Sequence, residues 1–251
     1  MNLTLLLQTA EDAARLAGAA LKKAFGGEVV VNEALHHDLK IQLDKDTQAL
    51  LVEFLLQRFP ASAILGEEGG AGSGGRGVEW ILDPIDGTVN LAYGLPHFCV
   101  SVACRVEGDL VAGAIYDPLR DELFKAAVGR GATLNGKTIT VSGRVQLEEA
   151  IMAIGFSKTA QAVEKCLELQ QYYARRARKL RALGSAALDL AYIAAGRMDA
   201  YLEQSIQLWD IAAGVVILRE AGGKIDLAPL PGRPNVYHAC AWNGVLELPR
   251  R

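Results

Sequence analysis

The sequence predicts a layered α/β or α+β fold, in which helices frame blocks of strands. Its 251 residues are 51% hydrophobic, which is enough to bury a sizeable core in one large domain or two small ones. Apolar residues recur at helical spacing near the N-terminus and in the last third, whereas residues 78–141 are rich in strand formers and turn signals. The sequence contains no internal repeat of fixed period, so a repeat protein is not expected.

The first third is predicted to contain two helices and two short strands. The elements are, in order, a helix over residues 3–25, a strand over 28–32, a loop that reaches Leu43, a helix over 44–59 and a strand over 63–65. Gly26 and Gly27 end the first helical repeat and Pro60 ends the second, since glycine and proline are typical helix ends. Asp44 is the expected N-cap of the second helix.

The remaining elements follow from the same two periodicities. Turn signals at 107–109, 117–118, 129–131 and 135–136 divide the strand-rich region. After it we expect helices over 159–174, 186–195 and 209–220 and strands over 198–202 and 237–241. Residues 69–77 are dense in glycine and predict a flexible surface linker.

The charge balance argues against several classes of protein. With 26 basic and 29 acidic residues the formal charge is −3, so nucleic acid is not expected as a partner, because phosphate backbones favour dense positive patches. No apolar run approaches the roughly 20 residues of a spanning helix. The N-terminus lacks the basic region of a signal peptide, so we expect a cytoplasmic protein with no membrane partner.

One basic cluster stands out against this background. It comprises Arg175, Arg176, Arg178, Lys179 and Arg181. We expect a solvated face, with recognition of a second substrate phosphate as the alternative.

The cysteines and histidines do not predict a zinc site. The residues concerned are Cys99, Cys104, Cys166, Cys240, His36, His37, His97 and His238. The cysteines form no CxxC pair and lie in apolar segments, and the histidines also lack zinc-ligand spacing. Buried, reduced thiols are therefore expected.

Gly72, Gly74 and Gly77 satisfy GxGxxG, the dinucleotide-binding pattern. That pattern requires a helix after the glycines, so that the pyrophosphate meets the helix N-terminus. Residues 78–82 instead have the pattern of a strand, so we expect a surface linker and no dinucleotide cofactor.

Gly131, Gly136, Lys137 and Thr138 satisfy GxxxxGK[ST], the phosphate-binding loop of many nucleotide hydrolases. That loop must open a helix, yet the β-branched residues 139–141 follow it. Because Asn-Gly is a favoured two-residue hairpin turn, we expect a hairpin here.

The strongest chemical signal is the segment WILDPIDGTVN. An apolar strand delivers Asp83 at its end, and the proline that follows forces the chain to turn. Asp86 then returns close to Asp83, the carbonyl of Ile85 can point inward, and Gly87 allows backbone amides to approach a ligand. Oxygens clustered in this way suit Mg²⁺, although an isolated DPxDG could equally be a turn with solvated acids.

Other acids lie in comparable settings. Glu67 and Glu68 follow a short apolar strand, Asp210 lies at the start of a helix, where an N-cap is the alternative role, and Asp38 and Asp44 flank the polar loop before the second helix. Like charges brought together repel unless a cation neutralises them. Convergence of these acids would therefore imply a metal.

Taken together, these motifs make the chain similar to the inositol monophosphatase family, within the wider Mg²⁺-dependent, lithium-sensitive sugar phosphatase superfamily. The resemblance covers nearly the whole chain and rests on GEE at 66–68, DPIDGTVN at 83–90, a GxGAxLNG-like segment at 129–136, GSAALDLAYIAAGRMDAYLE at 184–203 and WDIAAG…EAGG at 209–223. It implies an α+β fold, a layered α/β/α/β/α sandwich of the inositol monophosphatase and fructose-1,6-bisphosphatase type. It also implies one catalytic domain of two packed halves, about 1–142 and 143–251, and a homodimer.

The resemblance implies two or three Mg²⁺ ions in each active site. Glu67, Asp83 and the carbonyl of Ile85 would hold the first ion. Asp83, Asp86 and Asp210 would hold the second, and Glu67 would contact a third through water.

The catalytic residues implied by the resemblance are Thr88, Asp44, Glu67 and Asp83. Thr88 and the first ion would position a water for in-line attack on a phosphate monoester, with Asp44 accepting a hydrogen bond from the Thr88 hydroxyl. The physical reason for the metal is independent of the family, because a phosphate dianion entering an acidic cleft is repelled unless cations bridge the two.

The substrate residues implied by the resemblance are Asp86, Gly87, Thr88, Gly184, Ser185, Ala186 and Glu203. Glu203 suits recognition of sugar or cyclitol hydroxyls, because a carboxylate accepts hydrogen bonds from them. An exposed acid at a strand end is the alternative for this residue.

The chain departs from the family pattern in the segment before the second helix. A lysine commonly found five positions before the aspartate that matches Asp38 is Glu33 here, and a Thr-Asp pair is Leu43-Asp44. Both departures concern the third metal ion and leave the first two sites intact.

The predicted function is Mg²⁺-dependent hydrolysis of small polyol or sugar monophosphates, with inositol monophosphate as the leading substrate. Fructose-1,6-bisphosphatase, histidinol-phosphatase and 3′(2′),5′-bisphosphate nucleotidase activities are alternatives. A non-catalytic regulator that keeps the metal and ligand cleft is a further alternative, from a different functional class.

Overall fold

The computed structural model describes residues 2–35, 38–72, 77–156 and 160–248. Six helices are present in these ranges: α1 Leu3–Ala24, α2 Gln42–Arg58, α3 Thr88–Ala92, α4 Ala160–Ala174, α5 Ala186–Ala194 and α6 Leu208–Glu220. A short 3₁₀ helix covers Leu147–Glu149. His36, His37, Gly74 and Thr159, which the sequence analysis considers, lie outside the described residues.

Fifteen strands form three sheets in the described part of the chain. They are β1 Val31–Leu35, β2 Asp38–Ile41, β3 Ala63–Gly66, β4 Ala71–Gly72, β5 Val78–Asp86, β6 Cys99–Val106, β7 Asp109–Asp117, β8 Glu122–Ala127, β9 Ala132–Leu134, β10 Lys137–Ile139, β11 Ile151–Ile154, β12 Lys179–Arg181, β13 Ala200–Gln207, β14 Lys224–Pro229 and β15 Val236–Trp242. The eight-stranded sheet has the order β10-β9-β8-β7-β6-β5-β3-β4, the five-stranded sheet has the order β12-β11-β13-β15-β14, and β1 and β2 form a separate hairpin.

The layers alternate between helices and sheets. Helices α1 and α2 cover one face of the eight-stranded sheet, and α6 packs against its other face and also against the five-stranded sheet. Helix α5 lies beside α6, and α4 covers the far side of the five-stranded sheet. The resulting order of helix, sheet, helix, sheet and helix confirms the predicted sandwich.

The outer helix α1 shows why this packing forms. Its buried face consists of Leu6, Ala10, Ala13, Ala17 and other small or apolar residues at helical spacing. Asn2 caps the helix, because its side chain accepts hydrogen bonds from the amides of Thr4 and Leu5 at 3.1 and 3.3 Å.

The central helices are apolar on nearly all sides, because both sheets contact this layer. Leu188, Leu190, Ile211 and Val215 are all buried in the core between the sheets. A helix that is hydrophobic all round is expected in an interior layer. In this core the N-terminal end of α5 lies close to the C-terminal end of β5, since the amides of Ala186 and Ala187 donate to Asp86.

The segment before α2 differs from the prediction. A strand over 28–32 and a loop to Leu43 are expected, but residues 31–35 and 38–41 form the antiparallel pair β1–β2, in which Glu33 pairs with Lys40. The strands could not be recognised from the sequence because the segment is largely polar. An exposed two-stranded hairpin does not need the alternation of apolar and polar residues that predicts a strand.

The N-cap role expected of Asp44 and the alternative N-cap role of Asp210 are both wrong. Helix α2 begins at Gln42 with Ile41 as its N-cap residue, and α6 begins at Leu208 with Gln207 as its N-cap residue. Asp44 and Asp210 therefore lie in the first turns of these helices, where each carboxylate accepts a hydrogen bond from the backbone amide of the N-cap residue.

Neither glycine motif opens a helix, as predicted, although Ala71–Gly72 of the expected linker forms strand β4. β5 follows Gly77 directly, so no helix opens after the GxGxxG pattern. Asn135 and Gly136 connect β9 and β10 with φ angles of 49° and 78°, as expected for a hairpin turn with two left-handed residues. The Lys137 and Thr138 of the second motif are accordingly strand residues.

The four cysteines are unpaired, and Cys99, Cys104 and Cys166 are buried, as predicted. Cys240 is only half-buried. No helix in the described ranges is long and apolar enough to span a bilayer.

Candidate active site

The aspartates of the DPIDG segment lie at the end of β5. β5 pairs with β6 in regular register from Val78 to Asp83, and the register shifts between Asp83 and Asp86. Such a shift is expected where a proline removes a donor from the ladder. Gly87 follows with a φ of 101°, and a Cβ atom there would lie 2.9 Å from the carbonyl oxygen of His97. The turn into α3 therefore requires glycine.

A pocket of about 360 Å³ lies between the end of β5 and the first turns of α5 and α6. Six carboxylates line it: Glu67, Asp83, Asp86, Asp189, Glu203 and Asp210. The other predicted site residues in its wall are Ile85, Gly87, Thr88, Gly184, Ser185 and Ala186. The structure thus brings together acids from segments up to 143 positions apart, and Asp44 lies behind Thr88 without lining the pocket.

The carboxylates of the pocket repel one another. Burial raises the pKa of Asp83 well above its usual range, and the charges of Glu67, Asp86 and Asp210 raise it further. Burial also raises the pKa of Asp210, with contributions from Asp86 and Glu67. This arrangement is unfavourable unless protons or cations neutralise part of the charge.

The start of α5 holds Asp86. Ser185 Oγ and the amide of Ala187 donate to Asp86 Oδ2 at 2.7 and 2.6 Å, and the amide of Ala186 donates to Oδ1 at 3.2 Å. Burial raises the pKa of Asp86 to about 6, although these donors oppose the increase. Ser185 is also the N-cap residue of α5, so a single side chain fixes both the helix and the carboxylate.

Asp44 and Thr88 are in contact, as the resemblance implies. The Thr88 hydroxyl lies 3.1 Å from Asp44 Oδ1 and 2.9 Å from the carbonyl oxygen of Ile85, and its single hydrogen can serve only one acceptor at a time. Asp44 Oδ2 accepts a hydrogen bond from the amide of Ile41 at 3.1 Å. Burial, together with the charge of Glu67, raises the pKa of Asp44 to about 7.

Sequence reasoning missed a lysine at this site. Lys40 of β2 donates from Nζ to Glu67 Oε1 at 2.6 Å and to Glu68 Oε1 at 2.8 Å. Gln48 of α2 supports the same turn, because its Oε1 accepts from the amide of Glu68 at 2.9 Å. No spacing rule indicates the Lys40 contact, since it depends on the register of the β1–β2 hairpin.

The far wall of the pocket contains a second residue that could not be found from the sequence, and this one is acidic. Asp189 of α5 is buried, and its Oδ1 atom has no hydrogen-bond partner among the described residues. Burial raises the pKa of Asp189 well above its usual range, and the charges of Asp86 and Glu203 add to the increase. Glu203 accepts a hydrogen bond from the Tyr201 hydroxyl.

The donor set of this pocket fits a hard divalent cation by its chemistry. It offers several carboxylates and the backbone carbonyl of Ile85, the ligand types that Mg²⁺ prefers, and the mutual repulsion of Asp83, Asp86 and Asp210 is the charge that such an ion would neutralise. In the described ranges no three Asp, Glu, His or Cys side chains already have the spacing of a coordination shell. Lys40 instead holds Glu67, and protein N–H or O–H groups hold Asp83, Asp86, Glu203 and Asp210.

The chain matches known proteins over most of its length. The model of the inositol monophosphatase family matches residues 2–240. The chain belongs to the inositol monophosphatase family. It is also 40% identical over 229 residues to a curated protein named Nus factor SuhB from Pseudomonas aeruginosa, and the match covers 88% of this chain and 84% of that relative.

Solved structures of this family have the same fold. The extragenic suppressor protein suhB of Bartonella henselae superposes with a TM-score of 0.88 at 33% identity, and the match covers 96% of this chain and 95% of that one. An inositol monophosphatase from Anabaena (Nostoc) superposes with a TM-score of 0.83 at 36% identity over 98% of this chain and 93% of that one. The family and the fold predicted from the sequence are thereby confirmed.

Proposed function

We propose that the protein is a Mg²⁺-dependent phosphatase of small polyol or sugar monophosphates, with inositol monophosphate as the first substrate to test. The observation that carries this proposal is the convergence of Glu67, Asp83, Asp86 and Asp210 on one pocket that also contains Thr88. Family membership supports phosphatase chemistry. A structure titled as an inositol monophosphate complex, of SaIMPase-II, is similar to this chain at a TM-score of 0.77 and 28% identity.

In this proposal Glu67, Asp83 and the Ile85 carbonyl would hold one Mg²⁺, and Asp83, Asp86 and Asp210 would hold a second. When bound, the ions would neutralise the phosphate charge and lower the pKa of a water molecule that attacks phosphorus. The arrangement of the acids supports this assignment, because Asp83 lies among Glu67, Asp86 and Asp210 closely enough for each of them to raise its pKa.

Thr88 and Asp44 would orient the attacking water. If the Ile85 carbonyl turns towards a cation, the Thr88 hydrogen is left with Asp44 as its acceptor, 3.1 Å away. The Thr88 oxygen then has a free lone pair with which to accept from water. The hydrogen bond from Ile41 holds Asp44 in place for this role.

The opposite wall of the pocket would bind the alcohol part of the substrate. Glu203 and Asp86 present carboxylate oxygens on this side, and the predicted substrate residues Gly184, Ser185 and Ala186 border the same space. Carboxylates accept hydrogen bonds from vicinal hydroxyls, which favours a polyol or sugar leaving group over an aromatic one.

A substrate panel tests the proposal. Phosphate release is measured from inositol 1-phosphate, fructose 1,6-bisphosphate, histidinol phosphate and a nucleoside 3′,5′-bisphosphate, each with millimolar Mg²⁺ and with excess chelator. We expect Mg²⁺-dependent turnover that is fastest for inositol 1-phosphate. The proposal fails if no substrate releases phosphate faster with Mg²⁺ than with chelator. If another substrate is hydrolysed fastest, the protein is a Mg²⁺-dependent phosphatase with that substrate in place of inositol 1-phosphate.

The name of the curated relatives favours a second candidate function. Several of them, including the Pseudomonas aeruginosa and Escherichia coli proteins, are named Nus factor SuhB. A non-catalytic role of that kind would survive loss of the metal ligands. Complementation of a deletion strain by Asp83→Asn tests it, because full complementation by a variant without turnover would support this role and failure would support the enzyme.

The predictions of a homodimer, of a cytoplasmic location and of no nucleic-acid partner remain part of this proposal. Light scattering on the purified chain measures the oligomeric state directly. A titration with fluorescent RNA and DNA at physiological salt tests the partner prediction.

A further inference from the structure

Lys40 of the β1–β2 hairpin places a positive charge beside Glu67, at the edge of the acidic pocket. Lys40 is the third residue of β2, and Nζ donates to one oxygen of Glu67 and one oxygen of Glu68. All three side chains are largely shielded, with exposed fractions of 25%, 16% and 11% for Lys40, Glu67 and Glu68. An ion pair with this much shielding is screened less by solvent than a surface pair.

The backbone on both sides of this contact is fixed. The residue after Lys40 is the buried Ile41, whose amide is bonded to Asp44. On the other side, Gln48 holds the amide of Glu68 and the carbonyl of Gly69 at 2.9 and 3.0 Å. Strand β2 also packs against α3, the helix that begins with Thr88. Lys40 is thus placed by the same elements that place the proposed water-orienting pair.

The chemistry of the lysine suits the role of a cation between two carboxylates. An ammonium group is a compact point charge with three donors and no acceptor. Nζ of Lys40 donates to one carboxylate oxygen of Glu67 and one of Glu68, at 2.6 and 2.8 Å, which is the geometry of charge-assisted hydrogen bonds from an ammonium group. The ion pair therefore places a positive charge beside both glutamates.

We propose that Lys40 is a built-in cation that takes the place of an outer divalent ion at Glu67 and Glu68, so that the pocket binds one divalent ion fewer than its carboxylates could hold. The resemblance to the family implies a third ion near Glu67, and the departures at Glu33 and Leu43 lie in the segment that carries Lys40. The inference rests on the proposed function only in that Asp83, Asp86 and Asp210 bind divalent ions.

The test counts Mn²⁺ ions bound to the intact protein, by electron paramagnetic resonance of free Mn²⁺ and by isothermal titration calorimetry. Lys40→Gln and Lys40→Met remove the charge, and Lys40→Arg keeps it. Lys125→Gln is the matched control, because Lys125 forms an ion pair of similar shielding, 23% exposed, with Glu11 of α1. Circular dichroism confirms the fold of each variant.

We expect Lys40→Gln and Lys40→Met to bind one more Mn²⁺ per chain than the wild type, and Lys40→Arg and Lys125→Gln to bind the wild-type number. An unchanged count in both neutral variants overturns the inference, even where the affinity changes. A wild type that binds Mn²⁺ as described but releases no phosphate from the substrate panel refutes the proposed function alone. If no variant binds Mn²⁺ at all, both proposals fail.

Discussion

The hydroxyl of Ser185 donates a hydrogen bond of 2.7 Å to Oδ2 of Asp86, although the two residues lie 99 positions apart. One residue ends β5 of the eight-stranded sheet, and the other caps α5 in the layer between the two sheets. The contact couples assembly of the pocket to docking of that helix. A carboxylate proposed as a metal ligand is thus held in place by the packing of the fold itself.

Ser185→Ala tests this coupling. The substitution removes a donor from a buried carboxylate, which costs about 1.5–3 kcal/mol for a hydrogen bond to a charged group. We expect a lower free energy of unfolding in urea, and a larger loss in chelator than in Mg²⁺, because the ion would compensate part of the lost donor. Ser205→Ala is the control, since Ser205 bonds only to the exposed Arg233 among its described contacts. Equal stability of the Ser185 variant and the wild type would contradict the coupling.

Thr88→Val and Asp44→Asn test the proposed water-orienting pair. Both variants keep the shape of the site, but the first removes the hydroxyl and the second removes the charge that accepts its hydrogen. We expect each to reduce kcat by roughly 10²-fold or more, as when general acid–base or orienting groups are removed. Thr88→Ser keeps the hydroxyl and should retain most activity. An active Thr88→Val enzyme would exclude the hydroxyl from the reaction.

The raised acid pKa values predict an unusual pH dependence of stability in chelator. An acid whose folded-state pKa is raised binds more protons when folded than when unfolded, so its contribution is favourable below the unfolded pKa and is lost as the pH rises through the folded pKa. For Asp44 this window runs from 3.8 to about 7. Asp83, Asp86, Asp189 and Asp210 shift in the same direction.

We therefore expect the unfolding free energy in chelator to fall between about pH 4 and pH 7, and Mg²⁺ to restore it at pH 7.5. Asp44 alone could contribute up to about 4 kcal/mol, at about 1.4 kcal/mol per unit of its shift from 3.8 to about 7. The lowered pKa values of Glu11 and His97 act in the opposite direction. Urea midpoints measured across this range check the sign, and Asp44→Asn should flatten the curve.

Asp189→Asn should stabilise the protein at neutral pH. It removes a buried acid whose Oδ1 has no partner in the described structure and which lies near the charges of Asp86 and Glu203. Asparagine is neutral at every pH, so the variant avoids the cost of ionising a buried acid near other carboxylates. We expect a gain in the urea midpoint that is larger at pH 8 than at pH 4, because the wild-type acid ionises less readily at low pH. A variant less stable than the wild type at pH 8 would show that the carboxyl makes a favourable contact.

Most of the fold could be predicted from sequence because its signals are local. The helical repeat of α1, the Asn135–Gly136 turn and the apolar run of β5 each lie within one element. Strand β11, Ile151–Ile154, was missed because four consecutive apolar residues do not distinguish a strand from a buried loop. The expected N-cap at Asp44 and the alternative N-cap at Asp210 were wrong because aspartate favours both the N-cap position and the first turn of a helix.

In the candidate site, too, the residues with local sequence signals could be predicted and those that depend on distant contacts could not. The clustering of residues 83–88 in one pocket could be predicted, because the turn, the oxygen ligands and the hydroxyl all lie within six positions. Lys40 could not be predicted, since its contact with Glu67 depends on a hairpin register that polar residues do not specify. Asp189 was hidden inside an apolar helical repeat, where a single acid usually marks the solvent face.

The most direct test of the account is the turnover of inositol 1-phosphate by Asp83→Asn in millimolar Mg²⁺. Asp109→Asn, an exposed aspartate at the start of β7, is the control. The account predicts that the Asp83 variant folds and loses activity by roughly 10²–10³-fold or more, as when a group that stabilises transition-state charge is removed, while the control keeps the wild-type rate. Wild-type turnover by a folded Asp83→Asn protein would contradict the claim that these converging carboxylates form one metal-dependent active site.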